Sequence, residues 1–354
     1  MLFNKIKLCF NLLLIQYTFS LGDLCTYTSN QTYSNLINTN SNYKSHLTEI
    51  ANIPLPIWYT DRDSNSLNKI TNALNNCESS LNTIIVYGLP GKDCDAGASS
   101  SGTNQNDAAY ITFVNALSTE IANKEVIIIL EPDAISLSMP GKCGLNNNFI
   151  PNIEKALSIL SENCNAKIYL DIGYWNLIYG NDKIKQVLDI INKIDPNNVI
   201  KGFSLNLSNY RTTVESIKSC TDIRSVSGKD YHCIIDTSRN HNGPDTANSQ
   251  WCNLLTAGMG ELPTDKTNNA IIDYFLWMKP PGEVDGQCTG MSNSYQTSLQ
   301  AGQFDINYFE LLYKQGILNN GNTPTNAPSN IPTNAPSNIP TPKVQYFKGC
   351  VLVE

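Results

Sequence analysis

Residues 126–137 read VIIILEPDAISL. An unbroken apolar run of this length, rich in β-branched residues, describes a strand buried on both faces. The Glu-Pro-Asp that ends it puts acidic groups at the strand's C-terminal end. Six further runs have the same form: Leu55–Trp58 (LPIW), Ile84–Tyr87 (IIVY), Lys167–Leu170 (KIYL), Gly202–Leu205 (GFSL), His232–Ile235 (HCII) and Tyr274–Trp277 (YFLW). Just beyond the runs lie Asp93, Asp133, Asp171, Asn206, Asp236, and then Lys279, Glu283 and Asp285. Polar groups gathered at one end of parallel strands make a single concave site. The pattern predicts an enzyme that works with carboxylates.

Between the runs, Ser66–Cys77, Asp107–Asn123, Asn152–Ser161, Asp182–Ile194 and Tyr308–Gln315 carry apolar residues at helical spacing. In Asp182–Ile194 the residues Ile184, Val187, Leu188, Ile191 and Ile194 share one face. Strands alternating with helices predict βα units and a parallel sheet. Seven strands favour an α/β barrel, with a doubly wound open sheet as the alternative.

The chain has 354 residues, 41% hydrophobic and 16% charged, which suits one large globular domain. A net charge of -7 argues against a nucleic-acid partner. Three His, and no Cys/His grouping with metal-site spacing, predict no metal. No glycine-rich phosphate fingerprint follows a strand, so no cofactor is expected.

Residues 1–20 combine Lys5 and Lys7 with a short apolar stretch and small residues near Ser20, the pattern of a secretory signal peptide. The stretch is too short to span a bilayer, and no membrane association is expected. Ten Cys follow it: Cys25, Cys77, Cys94, Cys143, Cys164, Cys220, Cys233, Cys252, Cys288 and Cys350. An even number in an exported chain predicts disulfides, with the pairing open. Asn30-Gln-Thr32 is a glycosylation sequon; Asn206-Leu-Ser208 also fits but lies at a strand end. The folded unit is expected over residues 23–316. In residues 320–342, PTNAPSNI occurs twice, at Pro324–Ile331 and Pro332–Ile339, which reads as an extended Pro/Asn/Thr-rich linker. Residues 343–354 are too few for a domain, so either a module tethered by this linker lies outside the chain or the tail is a remnant.

Four ordered segments resemble the signatures of the glycoside hydrolase family 6 cellulases. They are VYGLPGKDC (86–94), LEPDAISL (130–137), IDTSRN (235–240) with WCN (251–253), and WMKPPGEVDG (277–286). The resemblance covers roughly residues 50 to 316. It implies a distorted parallel β/α barrel with a cleft or tunnel across the strand ends. It also implies hydrolysis of β-1,4-glucosidic bonds of cellulose or a related glucan, with inversion.

The residues are suited to that chemistry. An inverting glycosidase needs a protonated acid at the leaving oxygen and a base, or a route to one, for water on the opposite face. Asp133 matches the general acid and Asp285 the proposed base. Asp93 matches the carboxylate that raises the acid's pKa and passes protons along a water chain. The alternative for an Asp after a strand is a helix N-cap. Tyr87 matches a tyrosine that crowds and distorts the sugar ring, or else is a core aromatic. Ser99, in the Gly/Ser-rich loop AGASSSG (96–102), matches a serine that places the water. Asp171, Lys279 and Glu283 match residues that hydrogen-bond sugar hydroxyls, Lys279 and Glu283 alternatively forming an ion pair. Trp58 and Trp251 match sugar platforms, with core packing as the other reading. Asn206, at its strand end, is also expected at the substrate, and Asp236 and Arg239 are expected to brace the site.

The resemblance also implies Cys94–Cys143 and Cys252–Cys288 bridges; Cys25–Cys77 and Cys220–Cys233 follow from proximity alone. Three departures stand out. IGYWNLIYG follows Asp171 without the family's His, leaving Trp175 as a candidate platform. Lys92 replaces an Arg and loses its planar fork. Val284 replaces a Cys found in fungal members. The 283–301 loop is of moderate length, favouring an endo-acting or mixed enzyme over an end-acting cellobiohydrolase. A non-catalytic glucan-binding protein and a structural surface glycoprotein are the readings from other classes.

Overall fold

The computed structural model describes residues 24–244 and 250–319, together with the backbone of 346–347 and 350–351. The expected signal peptide (1–20) and linker (320–342) lie outside the described residues. Of the tail only a minimal antiparallel ribbon is described, pairing Tyr346 with Val351 and Phe347 with Cys350.

Seven strands form one parallel sheet in sequential order: β1 (Ile57–Thr60), β2 (Asn82–Tyr87), β3 (Val126–Leu130), β4 (Ala166–Asp171), β5 (Gly202–Leu205), β6 (His232–Asp236) and β7 (Ile272–Leu276). Alternate side chains leave the sheet on opposite faces. Ile84, Val86, Ile128, Leu130, Ile168, Leu170, Phe203 and Ile235 point outward into the helical layer. Ile85, Ile127, Ile129, Tyr169, Ile234, Tyr274 and Leu276 point inward and form one cluster with Trp58 packed against it. Residues from both ends of the strand order meet in that cluster, so the sheet is curled into a barrel. Among the described strands no ladder joins β7 to β1. Side chains cross this seam instead: Trp58 Nε1 donates to the Met278 carbonyl at 2.9 Å, and Arg62 Nη2 to the Ala301 carbonyl at 3.1 Å.

The helices are α1 (Tyr27–Thr39), α2 (Lys44–Ala51), α3 (Ser66–Asn76), α4 (Asp107–Ile121), α5 (Ala134–Leu137), α6 (Phe149–Leu160), α7 (Asn181–Ile194), α8 (Thr213–Ser227) and α9 (Ile306–Lys314). All five residues expected on the apolar face of α7 are buried. Helices α1, α2 and α9 share a second core with the loops beyond β6 and β7, centred on Tyr33, Leu47, Trp277 and Phe309.

Sequence periodicity missed α1, α2, the single turn α5 and α8. In α8 only Ser216, Cys220 and Ile223 are buried, a stripe too polar to stand out. Its sequence signal is the capping box in which Thr212 and Glu215 bond each other's backbone. The first strand runs two residues later than the apolar run, because Pro54 and Pro56 have no N–H to offer a ladder. The last strand starts two residues earlier than expected, and Trp277 lies beyond it.

Candidate active site

The C-terminal ends of the strands open into a cleft of about 1220 Å³. Ten of the expected site residues line it: Trp58, Tyr87, Asp93, Ser99, Asp133, Trp175, Trp251, Lys279, Glu283 and Asp285. Two do not. Asp171 is 1% exposed and takes the Asp133 N–H on Oδ1 at 2.9 Å and the Ser204 hydroxyl on Oδ2 at 3.2 Å. Asn206 is fully buried, donating to the Asp236 carbonyl and accepting the Arg211 N–H, both at 2.8 Å. Their polar atoms are engaged by protein groups beneath the cleft rather than presented to it.

Asp133 lies three residues past the end of β3 and immediately precedes the single turn α5. Its backbone is left-handed (φ 67°) and its side chain makes no cap bond to that turn, so it is free to face the cleft. Asp93 (φ 52°) and Glu131 (φ 49°) are also left-handed. Such backbone costs roughly 1–3 kcal/mol per residue and collects at functional sites.

Burial pushes the Asp133 carboxyl well above the usual carboxylate range, and the nearby charges of Asp171, Asp93 and Asp285 push it further. The sequence reading credited Asp93 with this effect. In the structure desolvation comes first and Asp171 is the largest charge. Asp171 itself is raised to about 7, by its burial and then by Asp236. Burial also raises Asp93, opposed by the Ser99 N–H that donates to its Oδ2. Burial and the charges of Asp133, Asp93 and Glu131 hold Tyr87 protonated as a hydroxyl donor. The ring of Trp58 meets Tyr87 edge-on, with centroids 5.9 Å apart.

Asp285 stands in the cleft wall supplied by the loop after β7. Three donors converge on its Oδ2: the Tyr210 hydroxyl at 2.6 Å, Arg239 Nη1 at 3.0 Å and the Asn253 N–H at 3.0 Å. The Asp285 N–H returns a bond to Asn253 Oδ1 at 2.7 Å. Arg239 is fully buried and also stacks on Tyr210, as a bracing role requires. Asp236 braces too, accepting the N–H groups of Ser208, Ser238 and Met278. Lys279 and Glu283 pair at 3.8 Å in the cleft wall, and burial raises the Glu283 carboxyl.

Trp251 is 38% exposed, which sets it apart from core tryptophan. Trp175 packs edge-on against Tyr174, whose ring carries the Arg211 guanidinium at 5.4 Å. The disulfides Cys94–Cys143, Cys252–Cys288, Cys25–Cys77 and Cys220–Cys233 all form. The first two sit in sequence beside Asp93 and beside Trp251 and Asn253. Sequence reasoning gave no role to Tyr210, which lies in none of the quoted motifs, or to Asn253, although Asn253 lies inside WCN. It gave Glu131 no role, although Glu131 lies inside LEPD. That carboxylate is fully buried, accepts the Gly88 and Leu89 N–H groups, and is raised to about 7 by burial. Among the described residues no group of His, Cys, Asp and Glu is arranged to hold a metal ion.

The family model "Glycosyl hydrolases family 6" matches residues 23–316. Endoglucanase A of Thermobispora bispora is 30% identical over 248 residues, 67% of this chain and 52% of that protein. A 1,4-beta-D-glucan cellobiohydrolase of Podospora anserina is 27% identical, over 58% of each chain. The chain therefore spans about half the length of these curated relatives. An endoglucanase of Mycobacterium tuberculosis, solved with a thio-linked methyl cellobiosyl cellobioside, superposes with a TM-score of 0.68 at 26% identity, covering 81% of this chain and 94% of that one.

Proposed function

The chain belongs to glycosyl hydrolase family 6, and from that premise we propose that it is a secreted cellulase hydrolysing β-1,4-glucosidic bonds with inversion. The observation that carries the reading is the setting of Asp133: a cleft-facing carboxyl whose pKa is raised by burial and by three carboxylates around it. A group so placed keeps its proton at the pH where an exposed Asp has lost it.

In the proposed reaction Asp133 gives its proton to the glycosidic oxygen as the C1–O bond breaks, and the leaving chain departs as an alcohol. Water adds to C1 from the opposite face and its proton passes to a carboxylate. Asp285 is the base on this reading, with a water chain through Ser99 to Asp93 as the other route. The donors on Asp285 Oδ2 hold the carboxylate in one orientation. Tyr87 crowds the ring at the scissile position, while Trp58, Trp175 and Trp251 offer flat faces to neighbouring sugars and Lys279 and Glu283 offer polar groups. Secretion rests on the leader sequence and on four disulfides, which persist in oxidising compartments. The catalytic unit is assigned to 23–316, with 320–342 as a tether. Endo or mixed action is favoured by the moderate 283–301 loop.

The test is incubation of wild type and Asp133→Ala with carboxymethyl-cellulose, following reducing sugar and viscosity. Wild type should release sugar with an early fall in viscosity. The variant should lose about 10²–10⁴-fold in rate, the usual worth of general acid catalysis. Glucan binding without sugar release by wild type would refute the enzyme reading.

A further inference from the structure

Asp61 directly follows β1, 7% exposed, and none of the motif segments contains it. Its acceptor atoms all turn toward one loop. Lys92 Nζ donates to its Oδ1, and the Asn104 N–H to its Oδ2 at 2.8 Å. Its backbone carbonyl takes the Thr103 N–H at 3.3 Å and the Thr103 hydroxyl at 3.1 Å. Lys92 and Asn104 are the two feet of the loop that carries Asp93 and Ser99. The rest of the loop is held chiefly by its own bonds and by Cys94–Cys143, and residues 95–98 and 100–101 are exposed. Gly102 presses its backbone onto the same carboxylate: a Cβ there would fall 2.1 Å from Asp61 Oδ2. The Lys92 ammonium, 3% exposed, stands 5.6 Å from the Tyr87 ring centroid, so the clamp also abuts the wall of the cleft.

We propose that Asp61 is a positioning residue for the reaction, its carboxylate latching both feet of the 92–104 loop and so fixing where Asp93 and Ser99 stand; the role in catalysis rests on the hydrolase reading. Lys92, in place of an arginine, keeps this link by a single ammonium contact rather than a fork. Removing the carboxylate frees the loop and leaves Lys92 buried without its counter-charge. Removing both charges relieves the second fault without restoring the first.

The experiment compares wild type, Asp61→Asn, and Asp61→Asn with Lys92→Met, with Gly102→Ala displacing the same contact from the loop side. Amide hydrogen exchange of the peptide over 93–102 reads the loop without substrate. Exchange is expected to rise about 10-fold or more in every variant. On a soluble cello-oligosaccharide kcat should fall about 10–100-fold while KM moves little, the effect of misplacing catalytic groups. The double variant should regain thermal stability but not kcat. Unchanged exchange in all variants overturns the latch, as does recovery of kcat together with stability in the double variant. An inactive wild type whose loop is nonetheless freed by Asp61→Asn would uphold the latch and sink the hydrolase reading instead.

Discussion

At the scale of single residues, the proposed acid–base chemistry turns on what lies under Asp133. Asp171 donates nothing to the cleft, yet it adds more to the raised pKa of Asp133 than any other charge. On the proposed mechanism Asp133 must be protonated to act, so activity should be lost as pH rises through its folded pKa. Asp171→Asn keeps an acceptor for the Asp133 N–H and removes the charge, which lowers that pKa. The alkaline limb of kcat/KM on a soluble cello-oligosaccharide should therefore move to lower pH. Because Asp133 and Asp171 interact strongly, the limb belongs to the pair rather than to either group. An unmoved limb would contradict the role given to Asp171. The acids after the strands stood out in the sequence because they follow apolar runs, at once for Asp171 and Asp236 and a few residues on for Asp93, Asp133 and Asp285. Asp171 and Asn206 lie beneath the cleft rather than along it, and nothing local in the sequence distinguishes a side chain facing the cleft from one bonded to the backbone. Tyr210 stayed invisible for a related reason, since its partner lies 75 residues away.

At the scale of elements, loops and bridges hold what the barrel alone does not. The Cys252–Cys288 bridge closes a 36-residue separation whose feet flank Asn253 and Asp285, themselves joined by reciprocal bonds. The Cys220–Cys233 bridge ties α8 to the start of β6, away from the cleft. Replacing either pair by Ser should cost about 3–4 kcal/mol in the chain-entropy account. Only the Cys252/Cys288 variant should also lower kcat/KM on soluble glucan. Equal kinetic losses in the two variants would show that the bridge near Asp285 has no special part in holding it. Strands and amphipathic helices announce themselves by period, as α7 does with Ile184, Val187 and Leu188. Helix α8 escaped because it buries Ser216 and Cys220 where a periodic reading looks for large apolar side chains.

At the scale of the whole molecule, seven parallel strands curl so that distant segments share one cleft, with the β7–β1 seam crossed by side chains rather than a ladder. The parallel sheet and the cleft at the strand ends follow from βα alternation and were legible in the sequence. The curl was implied by the resemblance, and is visible here in one inner cluster that spans β2 to β7. The arrangement gathers Asp93, Asp133 and Asp285 around one cavity, and the proposal that water attacks opposite a departing chain depends on it. The most direct test is the anomeric configuration of the first products released from a soluble cello-oligosaccharide, followed by proton NMR before mutarotation. The account predicts the α-anomer from wild type and no detectable product on the same timescale from Asp133→Asn. A β-anomer appearing first, or an Asp133→Asn variant as active as wild type, would contradict it.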